Sequence, residues 1–168
     1  ENLVHREGDG WTVAKYLLGH ERMGTGGIGG SKREFAKLKT LASQQLKNGK
    51  PLIEDGRFRD KLARVEVELM ALEITNLRFL DQLRGGKDPG ADVSLLKIKG
   101  TEIQQSLTEL MVEVAGPLAQ PLAPIDATEF DTFTSRLLPR YFNFRKTTIY
   151  AGSNEIQRNI IAKMSLGL

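Results

Sequence analysis

Two stretches of this sequence hold residues whose types and spacing could do chemistry. The first is His20-Glu21-Arg22, which runs into Gly24-Thr25-Gly26-Gly27-Ile28-Gly29. A carboxylate set beside a face stripped of side chains would meet a dry surface. Burial raises a carboxyl pKa, which suits a general base. A charged triplet on a helix is also an ordinary solvent-facing feature, so both readings stand here. The second stretch runs from Thr147 through Tyr150-Ala151-Gly152-Ser153-Asn154-Glu155 to Lys163. It puts a Gly-Ser turn ahead of a helix whose first N–H groups could hold a phosphate or a polar ring edge. A plain interhelical turn would read the same way.

The glycine run literally spells G-x-G-x-x-G. As a dinucleotide fingerprint that motif must follow a strand and sit in a βαβ unit. Tyr16-Leu17-Leu18-Gly19 is not strand-like, and no βαβ unit follows. The better reading is a helix face on which glycines let another helix or a flat cofactor approach the backbone closely.

Composition removes other chemistries. The chain has 168 residues and no cysteine, so it has no disulfide and no thiol nucleophile. Its two histidines, His5 and His20, do not make a metal centre, and no metal ligand set is expected. Lys and Arg total 24 against 21 for Asp and Glu, a net charge of +3 that makes a weak case for nucleic acid. No apolar run approaches the roughly 20 residues of a membrane span.

The elements that must position these residues are helical. Phe58, Val65, Leu72 and Phe79 repeat every seven residues, with Leu62, Leu69, Asn76 and Leu83 offset by four, giving a helix from about Phe58 to Arg84. Val67, Met70, Ile74, Leu77 and Leu80 form a second apolar face, as in a helix interior to a bundle. Gly85-Gly86 stops it, and Asp88-Pro89-Gly90 turns the chain. Further helices are expected over Asp92–Ala115, over Thr128–Tyr150 with a bend at Pro139, and over Ser153–Met164. The N-terminal third reads as one helix from Trp11 to about Leu46. No stretch alternates as a strand. The fold class is therefore all-α, an up-and-down bundle resembling a four-helix bundle.

Ile149, Tyr150, Gly152, Ile156, Gln157 and Arg158, with Ser153 for a usual threonine, closely resemble the C-terminal signature of the acyl-CoA dehydrogenases. Leu62 to Gly86 aligns without a gap to a central helix of that family, and Lys97 falls where the family carries a lysine. Trp11 to Arg22 also resembles the large subunit of bacterial pimeloyl-CoA dehydrogenases. The resemblance implies FAD as cofactor, an acyl-CoA thioester as substrate, and an electron-transfer flavoprotein-type acceptor. It also implies a homo- or hetero-oligomer in the cytoplasm. Family chains are more than twice as long, so residues 11–168 are expected to be the C-terminal helical domain and 1–10 a link from an upstream one. Such a piece alone is expected to hold little or no FAD and to lack activity.

The resemblance also distributes roles. In most members a glutamate sits directly before the motif glycine and removes the substrate α-proton. Here that position is Ala151. The minority typified by isovaleryl-CoA dehydrogenase places the base on the first helix of this domain, in Leu-x-Leu-Glu-Arg. Leu18-Gly19-His20-Glu21-Arg22 shares the first leucine and the Glu-Arg pair of that pattern, with His20 in place of the second leucine, so Glu21 becomes the candidate base. Arg22, Tyr150 and Gly152 become candidate substrate contacts, and Ser153 and Glu155 candidate FAD contacts. Two further flavin motifs are mostly lost, at Gln45-Leu46-Lys47-Asn48-Gly49 and at Glu113-Val114-Ala115-Gly116-Pro117, with Lys47 a possible substitute phosphate partner. Those losses leave two alternatives open: a non-catalytic subunit of a heteromeric dehydrogenase, or a DNA-binding relative of the fold.

Overall fold

The computed structural model describes residues 2–21, 24, 26–119 and 134–168. Six α-helices lie among them: α1 (Gly10–Glu21), α2 (Ile28–Gln44), α3 (Gly56–Arg84), α4 (Ser94–Ala115), α5 (Leu137–Phe144) and α6 (Asn154–Met164). A two-residue antiparallel ladder, β1 (Leu46–Lys47) with β2 (Lys50–Pro51), joins α2 to α3. The all-α expectation holds.

α4 is the centre. It packs against α2, α3, α5 and α6, and both Leu96 and Ile103 on it are wholly buried. The seven-residue stripe of α3 faces this core: Phe58, Leu62, Val65, Leu69, Leu72 and Phe79 are all buried. Each such side chain stabilises the fold by roughly 1.5–3 kcal/mol when fully withdrawn from water. Asp55 caps α3 by accepting from the Phe58 N–H at 3.0 Å. The far end closes at the paired glycines, where the Lys87 N–H returns to the Gln82 carbonyl and Gly86 takes φ +73°.

Four expectations change. The N-terminal third is two helices: Gly27, with φ +59° and ψ 27°, caps α2 in the left-handed region and ends any continuous helix. A run of glycines has too little helical propensity to bridge that point. Second, Leu46–Pro51 is a hairpin. Asn48 and Gly49 both have positive φ, the requirement of a tight two-residue turn. Third, the expected 128–150 helix is interrupted: Thr134 and Ser135 are helical, Arg136 is a turn, and α5 starts afresh at Leu137, followed by a 3₁₀ turn at Arg145–Thr148. Pro139 lies in the first turn of α5, where its missing N–H is tolerated, and the break falls just ahead of it. Residues 120–133 lie outside the described residues. Fourth, the second apolar face of α3 is not interior. Val67, Met70, Ile74, Leu77 and Leu80 are all exposed.

The glycine run does allow a close approach, and the partner is a helix. A Cβ on Gly100 of α4 would lie 2.6 Å from the Gly26 Cα and 2.8 Å from its carbonyl carbon. Backbone meets backbone here, so neither side can give way. Gly100→Ala should therefore destabilise the protein by about 2 kcal/mol, since overpacking a rigid contact costs roughly 1–3 kcal/mol. Gly30→Ala, in α2 with nothing within 4 Å of its Cβ position, should instead add up to ~1 kcal/mol. Urea midpoints of the two variants check this; a Gly100→Ala protein as stable as its parent would mean the two backbones do not touch.

Candidate functional site

The signature loop runs from Ile149 to Ser153 and is held at both ends by α4. Ahead of it, the Gln105 Nε2 donates to the Phe144 and Arg145 carbonyls at 3.3 and 3.2 Å. In return, the Arg145 guanidinium donates to the Gln105 carbonyl, to the Thr108 hydroxyl and to Glu109 at 2.8 Å. It also lies 4.3 Å from the centre of the Tyr141 ring. Charge-assisted bonds of this kind are the stronger ones, so the entry to the loop is fixed.

Behind the loop, the anchor is buried. The Lys97 ammonium donates to Asn154 Oδ1 at 2.9 Å, and the Thr101 hydroxyl exchanges hydrogen bonds with the same amide at 3.2–3.3 Å. Lys97, Thr101 and Asn154 are all buried. Burial pushes the Lys97 ammonium below the usual lysine range, and the nearby Glu155 carboxylate opposes that shift.

Between these clamps the backbone turns sharply. Ala151 has φ +53° and Gly152 φ +82°. A left-handed alanine is strained, and such outliers persist where the surroundings over-determine them. A Cβ on Gly152 would meet the Gln157 Nε2 at 2.6 Å, and the buried Gln157 Oε1 has no partner. Ser153 caps α6, its hydroxyl accepting from the Ile156 N–H at 3.4 Å. Glu155 sits in the first turn. Its own N–H and the Ser153 hydroxyl hold its carboxyl below the usual range, with Arg158 and Lys97 adding to the effect.

A cavity of about 320 Å³ opens beside the loop, between α2, α4 and α5. Tyr150 stands at its edge, Gly27 and Gly30 form one wall, and Leu107, Met111 and Leu137 supply apolar lining. The Glu34–Arg140 ion pair, 2.9 Å, ties α2 to α5.

The candidate residues thus divide. Tyr150, Gly152, Ser153 and Glu155 meet in one loop and helix start. Glu21 is the last residue of α1; its side chain and all of Arg22 lie outside the described residues. Lys47 reaches Asp55 at 2.9 Å, and Glu113 reaches Lys61. Both departed flavin segments are thus tied into ion pairs of this chain. Among the described residues no cluster of His, Asp and Glu could hold a metal, and no helix is long and apolar enough to cross a membrane. Sequence reasoning missed the Gln105–Arg145 clamp, which no local pattern announces, and Asn154 as the partner of Lys97.

The residues fit one part of FAD better than another. The Ser153 hydroxyl and the Glu155 carboxylate already serve the start of α6, so a pyrophosphate there would meet a like charge. A hydrogen-bond donor of the cofactor, a ribityl or ribose hydroxyl or the adenine amine, would find a ready acceptor in Glu155.

The buried ammonium makes stability depend on pH. Because the folded state depresses the Lys97 pKa, the unfolded chain binds that proton more tightly. Stability contributed by this group should rise with pH from the depressed value up to 10.5, the ordinary lysine value. Lys97→Met should lose that rise; urea midpoints at intervals from pH 7 to 10.5 measure it, and identical slopes in parent and variant would contradict a charged, buried Lys97.

The model of the acyl-CoA dehydrogenase C-terminal domain matches residues 8–166. The chain is 36% identical to acyl-CoA dehydrogenase IpdE1 of Mycobacterium tuberculosis, over 99% of this chain and 40% of that protein. It therefore spans about two fifths of that relative's length. Among solved structures it resembles the ChsE4–ChsE5 complex of Mycobacterium tuberculosis, at 27% identity and a TM-score of 0.76 over 98% of this chain and 42% of the other. Butyryl-CoA dehydrogenase from Megasphaera elsdenii shares the fold, with a TM-score of 0.77 at 20% identity over 98% of this chain and 41% of the other. With the signature loop and the helical core in place, the chain belongs to the acyl-CoA dehydrogenase family, whose C-terminal domain it matches.

Proposed function

We propose that the protein carrying this chain is an FAD-dependent acyl-CoA dehydrogenase in which Glu21 removes the α-proton of the thioester. The observation that supports this most directly is Ala151. It holds the exposed, left-handed turn beside Tyr150 and the cavity, where most relatives carry their base, and its methyl group takes no proton. The base must then come from elsewhere, and Glu21, six residues ahead of the cavity wall at Gly27, carries the matching Glu-Arg pair.

FAD, when bound, supplies acceptance of the β-hydride. The remaining work belongs to the chain. The Glu21 carboxylate takes the proton from the α-carbon as the α,β double bond forms. A thioester α-hydrogen is weakly acidic, so the base must be desolvated and aimed. Tyr150 and the Gly152 backbone border the thioester, with Arg22 beside the base. The apolar lining of the cavity takes part of the acyl chain, and the Glu34–Arg140 pair bounds it. Ser153 and Glu155 accept hydrogen bonds from the cofactor. An electron-transfer flavoprotein takes the electrons onward, and the assembly is an oligomer in the cytoplasm.

A second reading, a non-catalytic subunit of a heteromeric dehydrogenase, is favoured by the commitment of Lys47 to Asp55 and Glu113 to Lys61, at positions where relatives reach the flavin.

The experiment is anaerobic mixing of the whole protein with an acyl-CoA, following loss of flavin absorbance. Glu21→Gln should slow bleaching by about 10²–10⁴-fold, the usual contribution of a general base, while flavin stays bound. Bleaching as fast as wild type would remove Glu21 from the role. Flavin retained by the wild type but not bleached by any acyl-CoA would favour the second reading.

A further inference from the structure

The cavity beside the signature loop is bordered by two polar side chains that the described residues leave unpaired. Ser31, on α2, lines it and is 2% exposed, yet its hydroxyl has no hydrogen-bond partner. Buried polar groups are nearly always paired, and an unpaired one weakens the fold. A helical serine can donate to the carbonyl four residues back. Here that carbonyl, on Gly27, takes the Ser31 N–H at 2.9 Å, and the hydroxyl stays free. Gln104, half-buried on α4, lines the same cavity, and its amide makes no hydrogen bond among the described residues.

Both groups meet at one residue. The Gln104 Nε2 stands where a Cβ on Gly27 would intrude, and Ser31 follows one turn later on α2. The other polar groups on the wall are committed. The Thr108 hydroxyl donates to the Gln105 carbonyl at 2.8 Å and accepts from Arg145, while Glu34 holds Arg140. Arg33 is exposed to water. The remaining lining is largely apolar. Protein interiors leave few voids larger than a water molecule, and about 320 Å³ falls in the range of small-ligand sites.

We propose that the acyl group of the substrate carries a hydroxyl remote from the thioester, and that Ser31 and Gln104 hydrogen-bond it in this cavity. The inference rests on the dehydrogenase reading above and names the class of acyl-CoA which that reading leaves open. A hydroxyl both donates and accepts, as do the serine hydroxyl and the amide. One ligand oxygen can therefore satisfy both side chains while its carbon frame lies on the apolar lining. The serine side chain is short and turns about a single bond, so it can follow that oxygen. A carboxylate suits the site less: Glu34 would repel it, Arg140 is already held, and an ion pair with the exposed Arg33 is worth little. A plain hydrocarbon chain would leave both polar groups unpaired, and a site built to bond a hydroxyl discriminates against the analogue that lacks it.

The test is anaerobic mixing of the whole protein with straight-chain acyl-CoAs of increasing length, each beside its ω-hydroxy and ω-carboxy counterpart, following loss of flavin absorbance. At one chain length the hydroxy form should be preferred over the plain one by at least about tenfold in kcat/KM. Gln104→Leu and Ser31→Ala should each reduce that preference by about three- to tenfold, the worth of one neutral hydrogen bond. Ser31→Ala also removes an unpaired buried hydroxyl, so its melting temperature without substrate should hold or rise, which separates lost recognition from lost folding. Equal rates for plain and hydroxy forms at every length would overturn the proposal. So would a preference for the carboxy form, variants that keep the wild-type preference, or a lower melting temperature for Ser31→Ala, which would make its hydroxyl structural. Bleaching by none of the three series would instead remove the dehydrogenase reading, and this inference with it.

Discussion

One turn of α4, from Lys97 to Thr101, sets the positions of both functional segments. Gly100 lets the backbone at Gly26 pass at contact distance, five residues after the candidate base. Lys97 and Thr101, on the same turn, grip Asn154 and so fix the start of α6 behind the signature loop. Successive residues of a helix point about 100° apart, so a glycine and a buried polar pair on adjacent faces of one turn can serve two neighbours at once. The rest of the core, with Leu96 and Ile103 wholly buried, holds that turn in place.

The two grips differ physically. At Gly100 the constraint is shape, backbone against backbone, and only a hydrogen atom fits. At Lys97 the constraint is polar. A buried ammonium is tolerated because an amide oxygen, itself bonded to a hydroxyl, receives it. Replacing such a pair by apolar residues of similar volume is often neutral or stabilising, yet the pair admits one geometry. The signature loop needs that definition. It is exposed and carries a strained alanine, so its shape is imposed from below.

The helices of the bundle were readable because their apolar periods are strong: the buried stripe of α3 appears at the positions that the seven-residue spacing marks. The glycine run was legible in purpose but not in form. A glycine-lined contact can occur within a helix or at a break, and only the left-handed Gly27 distinguishes them. The Asn48-Gly49 turn carries a strong hairpin signal that the surrounding helical pattern obscured. The exposed face of α3 could not be told from a buried one, since periodicity shows that a face is apolar and not what covers it. The site was legible mainly as a motif. Tyr150, Gly152, Ser153 and Glu155 adjoin in sequence, whereas their supports Lys97, Thr101 and Gln105 lie some fifty residues away. Long-range pairings of that kind leave no local trace.

What joins the fold to the chemistry is the claim that the base has moved from the signature loop to the end of α1. A crystal structure of the whole protein with FAD and an acyl-CoA bound would test it directly. The account predicts a Glu21 carboxylate oxygen about 3–3.5 Å from the substrate α-carbon, with Ala151 beside it and no other carboxylate in reach. A Glu21 side chain turned to solvent, or a different carboxylate at the α-carbon, would contradict it.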